Sequence, residues 1–166
     1  MGPFLCVKTA LPSLFDNDGS GIVNVSSLNY TTATDGLAHY SAAKAGVSQF
    51  TEVVAAEVGR YGIRVNAVAP GSTRTPLTEE NGLLEGKIGE EFLDRTPLGR
   101  TGEPEDVAKV VAFLLPDYGR WITGETICVD GGPTYPRAPQ LLGCTRRNGC
   151  VQRALFSSAT SVSGLP

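Results

Sequence analysis

Apolar residues recur at three- and four-residue intervals over residues 2–14, where Phe4, Leu5, Val7, Ala10, Leu11 and Leu14 share one face of a predicted helix. The same period returns over residues 38–60, and Ala42, Ala43, Ala45, Val47, Phe50, Val53, Val54 and Ala56 are its expected buried positions. Gly62 is the expected stop. A third helix is announced by Glu103-Pro104-Glu105-Asp106, because proline in a first turn and acids near the positive helix end both favour a start there. Its apolar residues Val107, Val110, Val111, Phe113, Leu114 and Leu115 run to Pro116. Between these helices lie three short runs: Ile22-Val23-Asn24-Val25, residues 63–69, and Thr126-Ile127-Cys128-Val129-Asp130. Rich in β-branched residues and bounded by turn signals, they read as strands covered on both faces, as in a parallel α/β sheet.

The remaining stretches lack a clear period. Residues 28–37, rich in Thr and Asn, are expected to form a loop lining a substrate side. Residues 75–102 are dotted with glycine and charge, which suits a solvated pair of surface helices. From Pro133 onward prolines, serines and isolated arginines replace the periodic apolar face, so residues 133–166 are expected to be a tail outside the domain formed by residues 1–132, either disordered or never selected to fold with it.

Composition narrows the class. The chain has 166 residues, 41% of them hydrophobic, which is enough for one domain with a real core. The net charge of -3 conceals a split: all 17 acidic residues lie at or before Asp130, and four arginines with no acid follow Gly132. Four arginines scattered through the tail make too thin a patch to predict nucleic-acid binding. No apolar run reaches membrane-spanning length, and no basic leader with a cleavage site opens the chain, so a cytoplasmic protein is expected. The four cysteines have irregular spacing and one histidine, His39, accompanies them, so no metal site is predicted and the thiols are expected to be reduced.

Candidate chemistry centres on Tyr40-Ser41-Ala42-Ala43-Lys44. On a helix, residues four apart share a face one turn apart. A phenol is a poor base near neutrality, and a neighbouring ammonium favours the phenolate, so the pair is suited to moving a proton to or from an alcohol oxygen. Thirteen residues before Tyr40 stands Ser27, at the carboxyl end of the first strand; Ser26 is its neighbour and competitor. That edge of an open α/β sheet is where ligands bind. The second strand ends in Asn66-Ala67-Val68-Ala69-Pro70-Gly71.

The order of strand with Ser27, Tyr40-x-x-x-Lys44, Asn66-Ala67-Val68-Ala69-Pro70-Gly71, Thr123-Gly124 and Val129-Asp130-Gly131-Gly132 resembles the classical short-chain dehydrogenase/reductase family. The resemblance covers nearly everything from Gly2 to Gly132 and implies the last three strands of a partial Rossmann-like, doubly wound parallel sheet with flanking helices. It implies NAD or NADP as cofactor, an alcohol or ketone as substrate, and a mobile lid over that substrate at residues 75–102. By the same resemblance Tyr40 exchanges the proton, Ser27 holds the substrate oxygen, and Lys44 also binds the nicotinamide ribose. Pro70, Gly71, Thr73 and Thr75 would cradle the nicotinamide end, with Thr73 offering its backbone and Thr75 its hydroxyl. The spacing in this family favours Ser27 over Ser26. The two long helices, residues 2–14 and 38–60, would form homo-oligomer interfaces, as a dimer or tetramer.

The glycine-rich turn that binds pyrophosphate in this fold does not occur ahead of Ile22, so the expected resemblance is to the carboxyl-side portion. Gly2-Pro3-Phe4-Leu5 matches a family motif whose preceding asparagine would fall just before Met1. The predicted strand at Ile22 would then have an unpaired edge. Three readings follow: part of a dehydrogenase, a non-catalytic chain that pairs with full-length relatives through its long helices, or a module that binds substrate without turnover.

Overall fold

The computed structural model describes residues 2–132 apart from Asp18 and Pro116, so the reading of residues 133–166 as a separate tail lies outside the described residues. In chain order the elements are α1 (Gly2–Leu14), β1 (Gly21–Val25), α2 (Ala38–Val58), β2 (Arg64–Pro70), α3 (Pro76–Glu80), α4 (Gly86–Arg95), α5 (Pro104–Leu114) and β3 (Thr126–Val129). Short 3-10 turns follow β1 at Leu28–Tyr30, α2 at Gly59–Tyr61 and α5 at Asp117–Gly119. The strands form one parallel sheet in the order β1-β2-β3. Parallel neighbours need long crossovers, which α2 supplies between β1 and β2, and the segment from α3 to α5 between β2 and β3. All three carboxyl ends therefore lie at one edge, with Val25 opposite Val68 and Pro70 opposite Val129.

The core forms where the central strand is covered. Arg64 to Ala69 are all buried, and Val7, Val54, Ala55, Val58, Ile63 and Val65 make one cluster against which Leu11, Leu14, Ile22 and Phe50 pack. Full burial of each large aliphatic side chain is worth about 1.5–3 kcal/mol. Gly62 ends the turn after α2 with φ 74°, a left-handed conformation that costs glycine little, which is how the helix stops where its sequence predicts. The buried charge in β2 has a structural use. Arg64 donates to the carbonyls of Leu114, Leu115 (2.8 Å) and Gly119 (3.1 Å), closing the carboxyl end of α5, where orphan carbonyls carry partial negative charge.

One expectation needs correction. The face of α2 that meets the sheet is Ser48, Thr51, Val54, Ala55 and Val58. Of the residues predicted to be buried, only Val54 is; Ala45, Val47 and Phe50 are half-buried, and Ala42, Ala43, Val53 and Ala56 are exposed. The cause is polar keying between α2 and β1. Asn24 Nδ2 donates to Thr51 Oγ1 at 2.9 Å, and Ser26 Oγ lies 2.9 Å from Ser48 Oγ, so these hydroxyls are buried with their hydrogen bonds made. The alanine-rich face is left outward, beside Phe4 of α1, whose ring meets Phe50 edge-on at 5.9 Å.

Candidate active site

The keying that turns α2 also fixes the site. From Lys44 to Thr51 the helix runs back along β1, since Lys44 meets Val25 and Thr51 meets Asn24. Its first turn, with Tyr40, therefore stands at the carboxyl edge of the sheet. Lys44 is held at both ends: its Nζ donates to the Val25 carbonyl at 3.0 Å, and its own carbonyl accepts from Ser26 Oγ at 3.0 Å. Lys44 Nζ lies 5.6 Å from the centre of the Tyr40 ring, so the structure brings this predicted pair together. Tyr40 is 37% exposed, and its hydroxyl makes no hydrogen bond among the described residues.

The two serines are differently engaged. Ser26 is 2% exposed and spends its hydroxyl on Lys44 and Ser48. Ser27 heads the 3-10 turn, where its Oγ accepts from the Asn29 N–H at 3.3 Å and donates to Asn29 Oδ1 at 3.4 Å. Asn29 also donates to Thr34 Oγ1 at 2.7 Å, tying the loop between Ser27 and Tyr40 to itself. Sequence reasoning passed over Asn29. Its position two residues after Ser27, where an Asx side chain reaches neighbouring backbone, was the available signal.

At the end of β2, Pro70 and Gly71 come against the end of β3. A Cβ on Gly71 would lie 2.7 Å from Asp130 Cα, so the close approach requires glycine. Thr73 Oγ1 donates to the Gly71 carbonyl at 3.1 Å, and Thr73 bridges to Gly102. Thr75 caps α3, its hydroxyl accepting from the Thr78 N–H at 3.3 Å. Ser27, Pro70 and Gly71 thus stand at one sheet edge, while Thr73 and Thr75 lead from it into α3. The segment 75–102 forms α3 and α4, and Arg74 ties α3 to the head of α5 through Glu79 (3.2 Å) and Glu103 (3.4 Å). A cleft of about 570 Å³ opens between Ala33, Thr34 and Asp35 of the loop and Ile88, Glu91, Phe92 and Arg95 of α4.

Two further groups complete the chemistry near the sheet. Burial, and then the Cys128 thiol 3.9 Å away, push the Tyr30 phenol above its ordinary range. Cys6 and Cys128 are free thiols. Among the described residues no three His, Cys, Asp or Glu could hold a metal ion, and no helix is long and apolar enough to cross a membrane.

The donor set fits the ribose end of a nicotinamide nucleotide. Of the three donors on an ammonium, Lys44 gives one to Val25, leaving two for vicinal hydroxyls. The unpartnered Tyr40 hydroxyl stands on the same helix face.

A family model described as enoyl-(acyl carrier protein) reductase matches residues 1–134. The chain is 43% identical over 131 residues to a 3-oxoacyl-[acyl-carrier-protein] reductase of Thermotoga maritima, covering 79% of this chain and 52% of that protein. It is 40% identical over 132 residues to a (3R)-3-hydroxyacyl-CoA dehydrogenase of Mus musculus, covering 79% of this chain and 50% of that protein. The crystal structure of a 3-oxoacyl-[acyl-carrier protein] reductase with bound NAD from Brucella melitensis superposes with a TM-score of 0.72 at 34% identity, covering 81% of this chain and 48% of that one. The chain spans about half the length of the curated relatives it matches.

Proposed function

The chain belongs to the short-chain dehydrogenase/reductase family, and from that premise we propose that it carries the proton-handling half of an oxidoreductase that interconverts an alcohol and a carbonyl with NAD or NADP. The observation that supports this most is the Tyr40 and Lys44 pair: an unpartnered hydroxyl beside an ammonium that is anchored on Val25, two residues before Ser27. The nicotinamide, when bound, supplies or accepts the hydride. Tyr40 delivers its proton to the carbonyl oxygen in reduction and removes it from the alcohol in oxidation. Ser27 turns its hydroxyl proton from Asn29 Oδ1 to the same oxygen, holding it in line with Tyr40. Lys44 keeps positive charge beside the Tyr40 ring and offers its remaining donors to the nicotinamide ribose. Pro70, Gly71, Thr73 and Thr75 form the wall on which the nicotinamide end rests.

The substrate is a small alcohol or ketone entering between residues 28–37 and the α3–α4 lid. The outward apolar face of α1 and α2 supports a second element of the proposal, pairing between subunits. Phe4 is 49%, Leu5 53% and Val53 47% exposed, apolar side chains that a second subunit would cover.

The test is a fluorescence titration of the chain with NADH and NADPH, followed by turnover of the Tyr40→Phe variant. Saturable cofactor binding is expected, with turnover reduced about 10²- to 10⁴-fold in the variant while binding persists. Turnover unchanged by Tyr40→Phe would refute the assignment of the proton donor.

A further inference from the structure

Resting on that reading, we propose that the cleft between residues 33–35 and α4 takes an uncharged carbonyl or alcohol bearing a short apolar group, and disfavours one that brings a carboxylate or other anion into the cleft. The cleft, about 570 Å³, is the size of a small-ligand site. Ile88 and Phe92 give it an apolar wall, and Ile88 is 52% exposed, an aliphatic side chain with room for a ligand's carbon chain against it.

The charges around that wall have the wrong sign for an anion. Among the described residues the one cation lining the cleft, Arg95, is paired with Glu91 one turn earlier on the same helix. Asp35 faces them from the loop with no ion-pair partner among the described residues. Over residues 76–95 the lid holds Glu79, Glu80, Glu85, Glu90, Glu91 and Asp94 against Lys87 and Arg95. Phosphate recognition calls for guanidinium or ammonium groups, or an open helix amino end. Here the amino end of α4 is headed by Glu85. A neutral substrate meets none of this repulsion and keeps the apolar contact.

Exposed charges of this kind discriminate modestly and through space. At separations of a few ångströms in a largely aqueous setting, one unit of like charge is worth roughly a three- to tenfold preference at low salt. Salt screens it, since the Debye length is only about 8 Å at physiological ionic strength.

The experiment compares binding of ethyl acetoacetate and of acetoacetate to the full chain with bound NADH, by ligand-observed NMR at low and at high salt. The neutral ester is expected to bind more tightly by roughly three- to tenfold at low salt, with the gap closing as salt rises. Asp35→Asn and Glu91→Gln, the second of which releases Arg95, should each narrow the gap at low salt. Equal or tighter binding of the carboxylate at low salt overturns the proposal, as does failure of both ligands to bind. Turnover separates this inference from the reading beneath it. Preference for the ester, with turnover insensitive to Tyr40→Phe, leaves the cleft assignment standing and removes the catalytic one. Preference for the carboxylate, with turnover lost in Tyr40→Phe, does the reverse.

Discussion

Alanine at Ser26 and alanine at Ser27 should have opposite consequences, although the two positions are adjacent. Ser26 Oγ is buried, donates to the Lys44 carbonyl at 3.0 Å and shares a hydrogen bond with Ser48 Oγ at 2.9 Å. Removing it leaves the Ser48 hydroxyl without that partner in a buried position, a loss of about 1–3 kcal/mol. With a urea slope of about 1–3 kcal/mol per molar, the unfolding midpoint should fall by roughly 1 M. Ser27→Ala removes the side-chain acceptor for one N–H at the head of a 3-10 turn, about 0.5–1 kcal/mol by analogy with helix caps. Its midpoint should move by no more than about 0.5 M. Turnover should show the reverse order. Ser27→Ala should lose about 10²-fold or more by removing a donor to the reacting oxygen, and Ser26→Ala should lose less once the measurement is made well below its melting range. The assays are urea denaturation followed by circular dichroism and steady-state turnover on the same preparations. Equal midpoints for the two variants, or a larger loss of turnover from Ser26→Ala, would refute the division of roles.

Three other perturbations test the frame around the site. Gly71→Ala would place a Cβ 2.7 Å from the Asp130 backbone, so the ends of β2 and β3 must part, and a loss of about 1–3 kcal/mol in thermal or urea unfolding is expected; unchanged stability would show that the turn yields freely. Arg64→Met strips the guanidinium from the carbonyls of Leu114, Leu115 and Gly119, and a loss of about 2–5 kcal/mol is expected; a loss under about 0.5 kcal/mol would refute the cap. The Asp106 carboxyl is held at about 2, below its ordinary 3.8, by the Arg100 guanidinium first and the Glu103 N–H next. Because the folded value is the lower one, the stabilising contribution is complete above about pH 4 and is lost as pH falls through about 2. Carboxyl chemical shifts should show that midpoint near 2 in the parent chain and a higher one in Arg100→Ala; a parent midpoint near 3.8 would refute the contact.

Much of the architecture was legible because the periods of its elements differ so clearly. Residues 2–14 form α1 with the predicted bounds, and the strand runs at Ile22, Ile63 and Thr126 fall within a residue of β1, β2 and β3. The spacing of Tyr40 and Lys44 required only that α2 be helical through its first turn, which Ala38–Val58 satisfies. The buried face of α2 was not legible, since alanines surround the helix and any of several stripes could have faced inward. The face was decided by Asn24 and Ser26 on β1, residues far away in sequence that apolar counting ignores. The choice of Ser27 over Ser26 rested on spacing to Tyr40. The structure adds a physical distinction, because only the Ser26 hydroxyl is committed to another element.

The same polar contacts explain how a helix with so small an apolar face can hold the proposed catalytic pair in place. A purely aliphatic interface between α2 and β1 would tolerate rotation of the helix by about one residue, roughly 100°, because small alanines fill either orientation nearly as well. Such a rotation would carry Lys44 away from the Val25 carbonyl and swing Tyr40 off the sheet edge. It would also carry Thr51 and Ser48 away and leave Asn24 and Ser26 buried without those partners, at a cost of about 1–3 kcal/mol for each unsatisfied group. Polar residues at this interface contribute little net stability when satisfied, yet they penalise every alternative register. Lys44 belongs to that lock through its carbonyl and to the proposed chemistry through its ammonium. The precision of the Tyr40 and Lys44 pair is therefore set from beneath, by Ser26, rather than by contacts at the mouth of the site.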